Sequence, residues 1–115
     1  MEIRQLSPRF SVTGQLTPAA LEQAARLGFT AVVCNRPDGE AAEQPSSREI
    51  AAAAARAGLA FEYIPVEPGQ PCDSEAHLLG RFLASVDGPV LGYCRTGARS
   101  EAVWKRAGEM SLLRT

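Results

Sequence analysis

Short continuous apolar runs alternate along this chain with longer stretches in which apolar residues recur every three or four positions. The runs are Phe29–Cys34, Ala60–Val66 and Val90–Tyr93, preceded by a shorter one at Arg9–Val12. Continuous β-branched runs of this length read as strands covered on both faces, as in parallel sheets. Between Arg9–Val12 and Phe29–Cys34, Thr17 reads as a helix N-cap with Pro18 at the first helical position, and Gly28 closes a helix over about 18–27. Gly14 is a turn, and residues 35–45 are polar and loop-like. Ser46-x-x-Glu49 has the form of a capping box, which opens an alanine-rich helix ending at Gly58. Pro68-Gly69-Gln70-Pro71-Cys72 is a loop by composition. Asp73 reads as the cap of a third helix, with Ala76, Leu79, Phe82, Leu83 and Val86 at helical spacing and Gly88-Pro89 as its stop. A last helix runs from Ser100 to about Ala107 and packs Val103 and Trp104 on the sheet. This order predicts one three-layer α/β domain over residues 1–115, with helices on both faces of a mostly parallel sheet of about four or five strands.

Composition narrows the function classes. The chain has 115 residues, a net charge of −1 and 45% hydrophobic residues, enough for a core without metal or disulfide staples. Near-neutral charge argues against nucleic acid as a partner, which calls for a basic face. No apolar run is long enough to span a membrane, and residues 1–15 hold no apolar signal core; the three thiols make a reducing cytoplasm the expected location. Three widely spaced cysteines and one histidine make a poor disulfide framework and a poor zinc set; no metal and no cofactor are expected. His77 reads as a solvated surface residue.

The chemistry concentrates after the last strand. Ligands of parallel sheets bind beyond the carboxyl ends of the strands, and Cys94 falls there. In Cys94-Arg95-Thr96-Gly97-Ala98-Arg99-Ser100 a strand ends, a glycine turn follows and a helix begins. Backbone N–H groups in such a turn converge on one point, and the helix N-terminus adds positive potential. A cysteine held there is stabilised as the thiolate. Arg99 adds a planar fork of donors for oxyanions. Cys94 and Arg99 are therefore the expected catalytic pair, with Arg95, Thr96, Gly97, Ala98 and Ser100 forming the loop that binds the anionic group.

The motif Cys-Arg-x-Gly-x-Arg-Ser resembles the active loop of rhodanese-type sulfurtransferases. The tyrosine-phosphatase signature is similar but one residue longer between Cys and Arg, and has a His where this chain has Tyr93. Four blocks extend the likeness: Phe10-Ser11-Val12 with Gln15-Leu16-Thr17, Asn35-Arg36-Pro37-Asp38-Gly39-Glu40, Ile64-Pro65-Val66 with Pro68-Gly69-Gln70, and Gly88-Pro89-Val90-Leu91 with Tyr93-Cys94-Arg95. On these the chain resembles the phosphatase-like domain of β-lactamase-hydrolase-like proteins, some of whose members are labelled sulfurtransferases. The resemblance implies a tyrosine-phosphatase-like α/β fold, sometimes fused to a metallo-hydrolase linked to persulfide oxidation. No second domain is seen within these residues.

Two reactions fit the loop. In sulfur transfer, Cys94 takes a sulfane sulfur from a small donor as a persulfide and yields it to a thiophilic acceptor, such as a protein thiol; the leaving group needs no acid. In phosphoester hydrolysis, Cys94 forms a phosphocysteine, and a carboxylic acid should protonate the leaving alkoxide. The short loop offers few amides, and no tryptophan-proline-aspartate loop is recognisable, so sulfur transfer is expected ahead of hydrolysis. A non-catalytic module that binds an anion or a partner is the third reading. Asp38 and Asp73 are the candidate acids, against roles as a turn residue and a helix cap. Arg36 either joins the anionic pocket or pairs with Asp38 or Glu40. Cys72 either resolves an oxidised Cys94 by a disulfide or is an incidental loop thiol, and Cys34 reads as buried.

Overall fold

The computed structural model describes residues 1–113. Its elements are β1 (Arg4–Ser7), β2 (Phe10–Thr13), α1 (Ala20–Arg26), β3 (Ala31–Cys34), α2 (Ser47–Arg56), β4 (Ala60–Tyr63), α3 (Asp73–Ser85), β5 (Val90–Tyr93) and α4 (Ala98–Glu109). They form a three-layer α/β fold around a five-stranded sheet of order β1-β2-β5-β3-β4, parallel except for β1.

The faces of β3 show how the layers are specified. Ala31 and Val33 join Ile64, Leu79, Phe82, Val103 and Ala107 in one core, beneath α3 and α4. Val32 and Cys34 join Leu21, Ile50, Ala54, Leu91 and Tyr93 in the other, beneath α1 and α2. Side chains alternate across a strand, so a continuous apolar run serves both cores. On the α3/α4 side, Gly92 leaves room for Phe10, since a Cβ there would lie 2.7 Å from the ring. The Phe10 ring lies parallel to that of Trp104, with centroids 6.3 Å apart.

The structure departs from the pattern at several ends. β1 reads as neither apolar nor alternating; Ser7 Oγ forms it by accepting from the amides of Arg9 and Phe10, closing the turn into β2. The third run is strand only over Ala60–Tyr63 and largely exposed, because β4 lies at the sheet edge; Ile64 and Val66 beyond it are the buried part. α1 starts at Ala20, and Thr17 contributes its carbonyl to the Ala20 amide rather than a side-chain cap. Cys72, not Asp73, is the N-cap residue of α3, and it makes no side-chain cap bond. α3 ends at Ser85, before Gly88-Pro89, where the Arg9 guanidinium donates to the carbonyls of Leu83, Val86 and Gly88 at 3.1, 2.8 and 3.1 Å. The capping box of Ser46 and Glu49 forms as the spacing predicts.

Topology places the site. The chain runs from β2 to β3 and on to β4, then returns β5 to the gap between β2 and β3. The segments leaving β2 and β3 therefore flank the loop leaving β5, which is the switch point where parallel sheets bind ligands. The Gln15 amide donates to the Arg95 carbonyl at 3.3 Å, and the Asn35 amide to the Tyr93 carbonyl at 2.7 Å. A Cβ on Gly14 would stand 3.0 Å from that Arg95 carbonyl, so glycine permits the approach.

Candidate active site

Cys94 follows β5 directly and is 1% exposed. Gly97 turns the chain with a φ of +97° and is the N-cap residue of α4, which begins at Ala98, two residues earlier than its periodicity suggests. A side chain on Gly97 would be strained at that φ and would press on the Thr13 carbonyl at 3.3 Å. The turn aims the Gly97 amide at Cys94 Sγ, 3.0 Å away. Burial raises the Cys94 pKa, but the amides of Ser100, Thr96, Arg99 and Gly97 outweigh it, and the thiol lies below its ordinary value of 9.0. The Ala98 amide is committed elsewhere, to Thr96 Oγ1 at 3.3 Å. Burial pushes the other two thiols up instead, since neither Cys34 nor Cys72 has such a nest. Ser100 Oγ, fully buried at the start of α4, has no hydrogen-bond partner among the described residues.

Arg99 does not stand alone. Its Nη1 and Nη2 donate to Glu40 Oε2 and Oε1 at 2.7 and 2.9 Å, and Nη1 also to the Val66 carbonyl at 3.0 Å. Glu40 Oε1 accepts a further bond from Arg36 Nε at 3.0 Å. Arg36, 6% exposed, turns its Nη1 to Gln15 Oε1, also at 3.0 Å. The hydrogen bonds from Arg99 and, after it, Arg36 outweigh burial, which acts the other way, and hold the Glu40 carboxyl at about 2, against an ordinary 4.5. Arg36, Glu40, Ala41, Pro68, Arg95 and Arg99 line an open cleft of about 470 Å³ beside the Cys94 loop. Arg36 thus pairs with Glu40 and also lines the cleft. Glu40 and Gln15 are the positions that sequence reasoning missed as site components. The i,i+4 spacing of Arg36 and Glu40 was the available signal for the first, and nothing local marked the second.

The two candidate acids are each held by another partner. Asp38 accepts from the Ser47 amide at 2.7 Å and from Ser47 Oγ at 2.8 Å, so its carboxylate holds the N-terminus of α2. Asp73 is exposed and takes a two-pronged bond from Arg106, at 2.7 and 3.1 Å, that depresses its pKa. Arg106 lies seven residues beyond Arg99 on α4, about 10 Å along the axis. Asp73 is therefore not brought to Cys94. Cys72 sits among the same charges, Glu75, Asp73, Arg106 and Glu109. Tyr93 is buried with its hydroxyl between Cys34 and Gln15, and burial raises its pKa far above the ordinary 10.

Among the described residues no group of three or more His, Cys, Asp or Glu is arranged to hold a metal, and no helix is long and apolar enough to cross a membrane. The family model for the phosphatase-like domain of β-lactamase hydrolase-like protein matches residues 2–110. The β-lactamase hydrolase-like protein of Xylella fastidiosa strain Temecula1 is 33% identical over 100 residues, covering 87% of this chain and 23% of that protein. The chain thus spans about a quarter of the length of the curated relatives it matches. A candidate phosphatase from Neisseria meningitidis Z2491 is 34% identical over 91% of this chain and 76% of its own, with a TM-score of 0.82. TpbA of P. aeruginosa, solved as a Cys-to-Ser variant in complex with phosphotyrosine, covers 88% of this chain and 58% of its own at 19% identity and a TM-score of 0.63, a likeness of fold. A nucleophile-type loop at a parallel-sheet switch point, a matching family model and a close structural relative agree: this chain belongs to the phosphatase-like domain family of β-lactamase hydrolase-like proteins, on a tyrosine-phosphatase-like fold.

Proposed function

We propose that the chain is a cysteine-dependent, phosphatase-like enzyme in which Cys94 is the nucleophile, and that the group it moves is sulfane sulfur. The observation that carries the choice of sulfur is the state of the carboxylates around the cleft. Among the described residues Glu40 is the one carboxylate lining it, and two guanidinium groups keep it ionised to about pH 2, so it has no proton to give. Asp38 and Asp73 are bound elsewhere.

Sulfur transfer suits that arrangement because no proton changes hands. The Cys94 thiolate attacks the outer sulfur of thiosulfate, the S–S bond to the sulfonate sulfur breaks, and sulfite leaves with the bonding pair. The Cys94 persulfide anion then lies in the amide nest, and cyanide or a thiolate removes its outer sulfur and restores the thiolate. The nest of Thr96, Gly97, Arg99 and Ser100 amides stabilises the anion in each state.

The second reading is hydrolysis of a phosphate monoester through a Cys94 phosphocysteine. The comparisons lean toward it: the family is phosphatase-like by description, and a protein of the same fold has been solved with phosphotyrosine. It requires a proton for the departing alkoxide, which favours substrates with good leaving groups.

One experiment separates the two. The whole chain is assayed with thiosulfate or a persulfide plus cyanide, and in parallel with p-nitrophenyl phosphate. Thiocyanate formation lost in Cys94→Ser supports sulfur transfer. Cys94-dependent phosphate release without thiocyanate overturns it in favour of hydrolysis. Neither activity, with the fold intact, leaves the anion-binding module.

A further inference from the structure

The start of α4 carries four backbone N–H groups that no helical bond can use, those of Gly97, Ala98, Arg99 and Ser100. The first intrahelical bond comes one residue later, from the Glu101 amide to the Gly97 carbonyl at 3.0 Å. Three of the four face Cys94 Sγ, as does the Thr96 amide before them. The fourth is taken: the Ala98 amide donates to Thr96 Oγ1 at 3.3 Å. A hydroxyl that accepts from the amide two residues on satisfies locally a donor that is otherwise open to a ligand. Thr96 and Ala98 are both exposed, so an anion arriving from solvent meets this amide with its acceptor already in place. In the same turn Ser100 Oγ is fully buried with no partner among the described residues. Buried polar groups in folded proteins are paired, so this one points to a partner the chain itself does not supply.

We propose that Thr96 is a specificity-determining residue of the nest: its hydroxyl withholds the Ala98 amide from oxyanions and so disfavours a phosphoryl group relative to a single sulfur atom. The proposal rests on the reading of Cys94 as the nucleophile that these amides hold. A sulfur atom at the nest is served by the four amides that already face it. A phosphoryl group presents three oxygens, and each further donor strengthens its binding. To recruit the Ala98 amide it must first displace the Thr96 hydroxyl, and the bond between Thr96 and Ala98 is lost in exchange. The hydroxyl therefore competes with the oxyanion and leaves the sulfur untouched. Thr96→Val keeps the branched shape and removes the acceptor, which leaves the Ala98 amide to water.

Two measurements test it on the whole chain, on Thr96→Val and on Thr96→Ser, with thermal unfolding to show that each is folded; Thr96→Ala replaces a valine variant that is not. In the first, inorganic phosphate at constant ionic strength protects Cys94 from N-ethylmaleimide, and the modified Cys94 peptide is followed by mass spectrometry. The rate of each protein without phosphate is its own reference, so a change in the thiolate itself cancels. The phosphate concentration for half protection should fall about fivefold in Thr96→Val, and Thr96→Ser, which keeps the hydroxyl, should stay within about twofold of the original chain. An unchanged or higher concentration in Thr96→Val overturns the proposal. An equal gain in Thr96→Ser overturns it too, because side-chain shape and not the hydroxyl then sets the effect. So does a lack of protection in all three proteins, since the freed amide then serves no oxyanion. The second measurement takes the ratio of p-nitrophenyl phosphate turnover to thiocyanate formation from thiosulfate, each as kcat/KM. That ratio should rise about fivefold in Thr96→Val, and a ratio that does not rise overturns the proposal. If the chain releases phosphate and forms no thiocyanate, the sulfur reading fails by itself, while the protection measurement, which needs no turnover, still supports or overturns the role of Thr96.

Discussion

Glu40 receives hydrogen bonds from both Arg36 and Arg99, and the consequence is a pH-dependent contribution to stability. Its carboxyl titrates near 2 in the folded chain and near 4.5 without its partners. A depressed carboxyl stabilises the fold above the unfolded value and loses that effect as pH falls toward the folded one. Glu40→Gln should therefore cost on the order of 2 kcal/mol at pH 7, a figure reduced for the side chain's residual contact with water. The difference between the two proteins should shrink steadily between about pH 4.5 and pH 2. Urea unfolding of both at pH 7 and pH 2.5 checks this, and a constant difference would show that Glu40 acts by packing alone. The same residue explains why Arg99 was only half legible. Its spacing from Cys94 identifies a loop arginine, but its orientation depends on a carboxylate 59 positions away.

At the scale of elements, the most instructive case is the start of α2. Ser46 caps it by the predicted box, and Asp38, from the loop after β3, adds a second hold on the Ser47 amide and hydroxyl. An aspartate near a parallel-sheet switch point can be read as an acid or as a turn residue; the sequence has no means to show a bond across nine positions. Asp38→Ala should lower stability by about 1 kcal/mol, the usual value of an N-terminal cap, and leave turnover within about twofold. Thermal unfolding together with kcat/KM measures both, and a large loss of turnover with unchanged stability would restore Asp38 as an acid. Asp73 illustrates the converse. It opens α3 one position inside the cap that the spacing predicts, and its partner Arg106 on α4 lies outside any local pattern.

Across the whole molecule, the two ends of the sheet do different work. The carboxyl end carries Cys94 and its cleft. The amino end is tied to α3 by Arg9, whose guanidinium satisfies three carbonyls where that helix stops. Removing it orphans those carbonyls. Arg9→Ala should destabilise the fold by about 1–3 kcal/mol, with Cys94 reactivity toward N-ethylmaleimide in the folded state unchanged. Denaturant unfolding and the alkylation rate report the two quantities separately.

What the sequence determined by itself was local in origin. Apolar runs of period one identified β3 and β5, helical spacing identified α3, and the capping box placed α2 to the residue, because backbone preference and short-range burial act within a few positions. The Cys94 loop was legible for the same reason: a strand, a glycine turn and a helix start are contiguous, and their amides converge without help from elsewhere. Tertiary structure alone decided the rest. The edge position exposed β4, a serine turn made a strand of polar Arg4–Ser7, and packing brought Glu40 to Arg99 while keeping Asp73 and Cys72 at the far end of α4. Those outcomes depend on which distant segments share a neighbour, and charge pairing of that kind leaves no period in the chain.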